Sequence, residues 1–386
     1  MKKIILSTVV AMVSVNASDI KHPHERIEEF KQISSETKTV AIEKSILDRI
    51  HLKGDLRLRY ESIERDDTTN KYRNRYRLRL GSAIDFTDNL HFEAGMRSGY
   101  ANPTSGNQTF STSKPVSDYF LQSLRFNVLS LSYKLDDALV KIGRQPYMMY
   151  RPIKSQLVWD NDVSMNGINY QYKDKTKMIT LGINRPTLEE KSQAKNNVNL
   201  FVAQYMQRTH LDSTKLNLGA GLYYYDGLKG NTELFGSSKG NTVSGGKYTN
   251  DYHILQGFGE LQFGDVMGKP LKVALSVAYN FAATKNNFGY DVALQLGKAK
   301  HVGDWQVKYS YTDIQEDAVF GAYCDSDNFG GGTAAKGHAI RTKYKMDKKL
   351  YLAGSFFFNT YYESKSKISG TTPKYERVQL DCIVKF

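Results

Sequence analysis

The chain has 386 residues, of which 40% are hydrophobic and 24% charged, and a formal net charge of +13. A mean hydropathy of −0.50 excludes a bundle of transmembrane helices, which needs repeated apolar runs of about 18 residues or more. The 26 tyrosines and 18 phenylalanines exclude a disordered chain, and two cysteines are too few for a disulfide scaffold.

The chain opens with Met1-Lys2-Lys3, an apolar run from Ile4 to Val15, and the sequence Val15-Asn16-Ala17. A cationic start, an apolar stretch and a small-residue site make a secretory signal peptide, so residues 1–17 are expected to leave by cleavage near Ala17. This surplus of Lys and Arg would suggest nucleic acid in a cytosolic protein. An exported chain does not meet it, and no nucleic-acid partner is expected. Residues 18–50 are charged, with a thin apolar stripe of Ile27, Phe30, Val40 and Leu47 at helical spacing. They read as a short helical segment, periplasmic or lumenal.

From His51 the period becomes two. In Leu52-Lys53-Gly54-Asp55-Leu56-Arg57-Leu58-Arg59-Tyr60, apolar and charged residues alternate. Further on, Tyr72, Tyr76, Leu78, Leu80, Ile84 and Phe86 share one face, and Arg73, Arg75, Arg77 and Arg79 share the other. A helix would scatter those arginines around its circumference. The pattern recurs to the C-terminus, where Val378, Leu380, Cys382, Val384 and Phe386 alternate with Arg377, Gln379, Asp381 and Lys385. Strands are predicted near 51–61, 72–86, 90–99, 119–134, 138–145, 163–173, 176–185, 197–208, 214–226, 251–263, 271–282, 287–297, 304–313, 337–346, 349–361 and 374–386. A phase change near Val128-Leu129 predicts a bulge.

No proline falls inside a predicted strand core, as a continuous hydrogen-bond ladder requires. Tight turns at Thr87-Asp88-Asn89, Leu135-Asp136-Asp137, Lys173-Asp174-Lys175 and Asp347-Lys348 alternate with long polar loops near 100–118, 146–162, 226–250 and 314–336. A soluble β-sandwich would bury one face of each sheet in a shared core. Here the opposite face is too charged to bury and too regular to be a casual surface. The expected fold is all-β, a transmembrane antiparallel β-barrel of about 16 strands over residues 51–386, apolar toward lipid and charged toward a water-filled lumen.

Gly54 to Phe386 resembles the bacterial outer-membrane porins of Gram-negative bacteria. The resemblance rests on Gly54-Asp55-Leu56-Arg57-Leu58-Arg59-Tyr60, Asn74-Arg75-Tyr76-Arg77-Leu78-Arg79-Leu80, Gly143-Arg144-Gln145-Pro146, Trp159-Asp160, and the terminal Phe386, which is similar to the aromatic signal read by the barrel-assembly machinery. It implies that the connection near 146–162 folds inward as a constriction. The Pro-Glu-Phe-Gly-Gly run of enterobacterial porins is absent, so the resemblance leaves a homotrimer open.

The candidate pore lining is an arginine ladder of Arg57, Arg59, Arg73, Arg75, Arg77, Arg79 and Arg97, with Tyr147, Tyr150, Arg151, Lys154, Asp160 and Asp162 from the inward loop. So many like charges need water, counter-ions or facing carboxylates. Asp160 and Asp162 are the first candidates, with Asp55, Glu61 and Glu93 nearby. The resemblance implies a transverse field, basic wall against acidic loop.

The eight histidines are scattered without metal-ligand spacing, and only His253 is a mild candidate for a catalytic pair. No enzyme activity, cofactor or metal is expected. Gly330-Gly331-Gly332 reads as a spacer. Cys324, in an external loop, and Cys382, on the lipid face, are too far apart for a disulfide. The leading function is passive diffusion of small hydrophilic solutes and ions across the outer membrane, with anion preference. A substrate-specific channel with a Tyr147–Tyr150 binding track is the alternative. A further one is an adhesin using loops 226–250 and 314–336.

Overall fold

The computed structural model describes residues 48–99, 102–110, 124–186 and 198–386. The signal peptide, nearly all of the helical segment 18–50, and residues 119–123 of the fourth predicted strand lie outside them. Residues 51–386 form one unit. Its sixteen long strands are β1 (Ile50–Arg65), β2 (Lys71–Asp85), β3 (Leu90–Arg97), β4 (Arg125–Leu135), β5 (Ala138–Pro146), β6 (Ser164–Lys173), β7 (Lys177–Arg185), β8 (Asn199–Leu211), β9 (Thr214–Asp226), β10 (Tyr252–Val266), β11 (Lys269–Asn280), β12 (Phe288–Gly297), β13 (Trp305–Ile314), β14 (Ala335–Lys345), β15 (Leu350–Tyr361) and β16 (Lys374–Lys385).

Each strand pairs antiparallel with its neighbours in sequence, and β16 returns to β1 in register from Asp55↔Lys385 to Arg65↔Tyr375. The sheet closes on itself. Alternation then sorts the side chains. Leu58, Tyr60, Leu218, Leu275 and Leu380 stand exposed on the outer face, while Arg59, Glu61, Asn217, Gln256, Ser276 and Gln379 are buried inside. In water that distribution would be an aggregation surface; in hydrocarbon it is the stable one.

The predicted bulge is present: Gly95 faces Val128 and Met96 faces Phe126, which leaves Asn127 as the extra residue. At one end the strands turn tightly. Asp136 adopts a positive φ of 47°, and the Asp174 carboxylate accepts the N–H groups of Thr176 and Lys177 at 2.6 and 2.8 Å. These are the roles for which Asp suits a turn.

At the other end the connections are long, and the structure corrects one expectation there. The connection between β13 and β14 is not an external loop: Phe320, Tyr323, Cys324 and Phe329 are buried. They join an apolar core inside the barrel. Trp159 meets Tyr223 edge-on at 5.0 Å and Tyr323 at 5.9 Å, and Tyr225 meets Phe320 at 5.1 Å. The physical reason is that these rings are too large to leave in water when the lumen offers aromatic partners. Cys324 and Cys382 are both free thiols.

The seam ends in a close fit. Gly54 N–H donates to the Phe386 carbonyl at 2.8 Å and Phe386 N–H returns to the Gly54 carbonyl at 3.1 Å. A Cβ on residue 54 would lie 2.5 Å from the Phe386 ring. Gly54→Val is therefore expected to cost about 1–3 kcal/mol by overpacking. The readout is the temperature at which the compact band on unheated gels converts to the unfolded one. It should fall by several degrees, and an unchanged temperature would show that the seam absorbs the side chain.

Candidate functional site

Closure brings β16, β1 and β2 side by side, and their inward positions build one charged wall. Glu61, with no exposed surface, accepts Arg73 Nε at 2.6 Å, Arg75 Nη1 at 3.4 Å and Arg377 Nε at 3.0 Å. Asp55 accepts Arg77 at 2.8 Å and Arg79 at 2.6 Å. Asp381 takes both forks of Arg59, at 2.6 and 2.8 Å, with Arg57 3.7 Å away. Bidentate pairing is the geometry that best offsets the cost of desolvating these charges.

Two connections cross the lumen against this wall. In the first, residues 147–163, Ile153 and Lys154 turn through positive φ of 45° and 55°. A β-branched residue resists that conformation unless its surroundings hold it. Here Ile153 N–H donates to Glu260 at 2.7 Å, Lys308 Nζ donates to the Ile153 carbonyl at 3.1 Å, and the side chain packs on Ala274 and Ala293. The tip is thus pinned to β10–β13. Tyr150 lies against Phe258 and receives Asn217 Nδ2 at 2.9 Å. Tyr147 stacks on Trp159, and Arg151 lies over the Tyr147 ring and donates to the carbonyls of Ser155 and Trp159. These three side chains anchor the loop.

Asp162 is drawn to the wall: Arg79 reaches its carboxylate at 3.1 Å and Arg97 its carbonyl at 3.1 Å. Asp160 is not. It is buried and accepts the N–H groups of Asp162 at 2.8 Å and Ser326 at 2.9 Å, while its own N–H donates to Tyr323 O at 2.7 Å. Burial, with Asp162 and Asp325 close by, pushes its carboxyl well above the usual range. Glu93 lies apart from the ladder, paired with Lys141 at 2.8 Å and Lys53 at 3.3 Å.

The second connection, residues 315–334, supplies a carboxylate that the sequence did not point to. Asp327 stands 2.9 Å from Arg377 and 3.4 Å from Arg59 and accepts Gln379 Nε2 at 3.1 Å. Burial alone would raise its carboxyl, but Arg377, then Arg59 and Arg57, hold it well below the usual range. Only Phe320, Tyr323 and Phe329, aromatics in an otherwise polar stretch, hinted that this segment turns inward. Arg377 and Asp381 were visible as one strand face, but their partners depended on closure.

Two polar chambers flank these contacts. One, of about 300 Å³ toward the tight turns, is lined by Arg57, Arg77, Lys154, Asp162 and Lys343. The other, of about 570 Å³ toward the long connections, is lined by Lys71, Arg73, Arg75, Lys365 and Arg377. Thr104, Ser326 and Asp327 line both, and Ser326 Oγ donates to the Thr104 carbonyl at 2.9 Å between them. Among the described residues no group of three or more His, Cys, Asp or Glu is placed to hold a metal. His253 stacks on Tyr224 at 3.9 Å, beside Phe281.

A closed barrel with an apolar exterior and a charged lumen is a transmembrane channel architecture. A family model described as "Putative porin" matches residues 63–257 and 264–386. The chain belongs to this porin family, and fold and family both point to an outer-membrane channel protein. Solved structures of similar fold include OprB of Pseudomonas putida, with TM-score 0.58, 12% identity, and 88% of this chain and 95% of that one covered. Two mutants of the Rhodopseudomonas blastica porin have TM-score 0.51 and 13% identity, covering 87% of this chain and all of theirs. No curated protein sequence matches.

Two outcomes test the site. Glu61→Ala removes the carboxylate that three guanidiniums share, leaving Arg73 unpaired among the described residues while Arg377 keeps Asp327. It should destabilise the barrel by about 3–5 kcal/mol, read as a lower midpoint of urea unfolding in micelles. Asp160 favours the folded state when protonated. Its contribution is fully present below the ordinary aspartate value of 3.8 and is lost as pH rises through the raised one. Thermal stability should therefore decline over that rise, and Asp160→Asn should flatten the decline.

Proposed function

We propose that this barrel passes small hydrophilic solutes and ions by diffusion, with a preference for anions. The observation that carries the reading is the imbalance on the wall. Eight guanidiniums (Arg57, Arg59, Arg73, Arg75, Arg77, Arg79, Arg97, Arg377) meet five carboxylates (Asp55, Glu61, Asp162, Asp327, Asp381) beside both chambers. Screening length is about 8 Å at physiological salt, so this surplus acts on ions only where the lumen is narrow. Narrowing comes from the two inward connections: Asp162 of the first and Asp327 of the second carry the acidic side of the field. In this reading the chain reaches the outer membrane after cleavage near Ala17, with Phe386 as the signal to the assembly machinery, and works as a single pore or a homotrimer.

Reversal potentials in a tenfold KCl gradient across a planar bilayer test selectivity. Replacing Arg73, Arg75, Arg77 and Arg79 together by Gln leaves Asp55 and Asp162 largely uncompensated and should reverse the preference toward cations. Asp327→Asn should move it further toward anions. Unchanged potentials in both folded variants would place the ladder away from the selective region. Glu260→Ala unpins the Ile153 tip and should raise single-channel conductance; an equal conductance would mean that the first connection does not narrow the pore.

A further inference from the structure

The larger chamber carries more positive charge than the wall requires. Lys71, Lys239, Lys365 and Lys367 line it, and none has a carboxylate partner among the described residues. Among the described residues the only carboxylate in its lining, Asp327, is already engaged by Arg377 and Arg59. Lys365 Nζ donates to the carbonyls of Gly331 and Thr333 at 2.8 and 2.9 Å and lies over the Tyr361 ring. An ammonium has three protons to place, so this leaves one unspent. The glycine triplet that looks like a spacer in the sequence has a defined task here. A Cβ on Gly332 would lie 2.0 Å from the Lys239 carbonyl, and its φ of 85° is unfavourable for any side chain. Gly332 is what lets the strand of chain bearing Lys239 close over the chamber.

Four lysines without a carboxylate partner among the described residues ring a cavity of about 570 Å³, and burial pushes the pKa of the Lys365 ammonium down to about 7. An anion among them would relieve both their mutual repulsion and the cost of keeping Lys365 charged. A monovalent ion answers one of them at a time; a solute with several negative groups answers several at once. The volume lies within the range of small-molecule sites, about 300–1,000 Å³. We propose that this chamber is a binding site for a small polyanion, a solute bearing two or more phosphate or carboxylate groups, held there before it moves past Thr104, Ser326 and Asp327. The proposal deepens the anion-channel reading and rests on it for passage; binding itself needs no current.

The test is calorimetric titration of the folded, detergent-solubilised chain with pyrophosphate at low ionic strength, with acetate as the monovalent control. Pyrophosphate should bind at least about tenfold more tightly than acetate, and added salt should erode the difference. Replacing Lys71, Lys239, Lys365 and Lys367 by Gln should weaken pyrophosphate by about tenfold or more. Lys71→Gln with Lys367→Gln, both at exposed positions where a substitution usually changes stability little, should give part of that loss. Equal affinity for the two anions, or an unchanged pyrophosphate affinity in the double and quadruple variants, would overturn the proposal. A cation-preferring reversal potential would instead overturn the channel's anion preference and leave the binding result standing.

Discussion

Closure of the sheet is the constraint on which everything else in this barrel depends. Hydrocarbon offers no partner to a backbone N–H or C=O, so a strand edge facing lipid would cost several kcal/mol for each unpaired group. The seam between Ile50–Arg65 and Lys374–Lys385 removes the last edge, and the Gly54–Phe386 exchange finishes it. Because the side-chain period is two, closing the sheet also decides every residue's face at once. A shift of one residue at the seam would turn one of its two strands over, sending either Arg59 or the pair Arg377 and Asp381 into lipid.

The seam also composes the charged wall. Glu61 stands on the first strand, Arg73 and Arg75 on the second, and Arg377 on the last, more than 300 positions away. Each pair is affordable only because the partner is within hydrogen-bond reach, since an isolated buried charge would be far too costly. The wall is therefore a network of compensated charges with a residual positive sign, not a bare ladder of cations.

Inside that shell, two connections divide the lumen by different means. The first is held by geometry: a strained Ile153 tip tied to Glu260 and Lys308 on the far wall. The second is held by aromatic packing of Phe320 and Tyr323 and by the Asp327 carboxylate on the wall. They meet through Asp160, whose buried carboxyl receives Ser326 N–H, and through Gln156, which donates to Asp325. The Trp159–Tyr323 ring contact adds an apolar tie, so the two connections hold each other as well as the wall.

How much of this was legible in the sequence follows from the range of the interactions involved. Strand positions, turns and the two faces depend on neighbours two residues apart, so the alternation of Arg73 to Arg79 with Tyr76 to Leu80 sufficed to place them, and the phase slip at Val128 located the bulge within a residue or two. Proline placement and the Asp-rich turns are equally local. The inward course of residues 315–334, the capture of Asp327 and the diversion of Asp160 from the arginines to Ser326 were not legible. They are contacts across the lumen, made between segments whose sequence separation carries no signal of their distance in space. By itself the sequence determined an apolar-outside, charged-inside strand set, because alternation is a property of each strand alone. Only the tertiary structure decided which carboxylate meets which arginine, because that is set by closure and by how the loops fill the space that closure encloses.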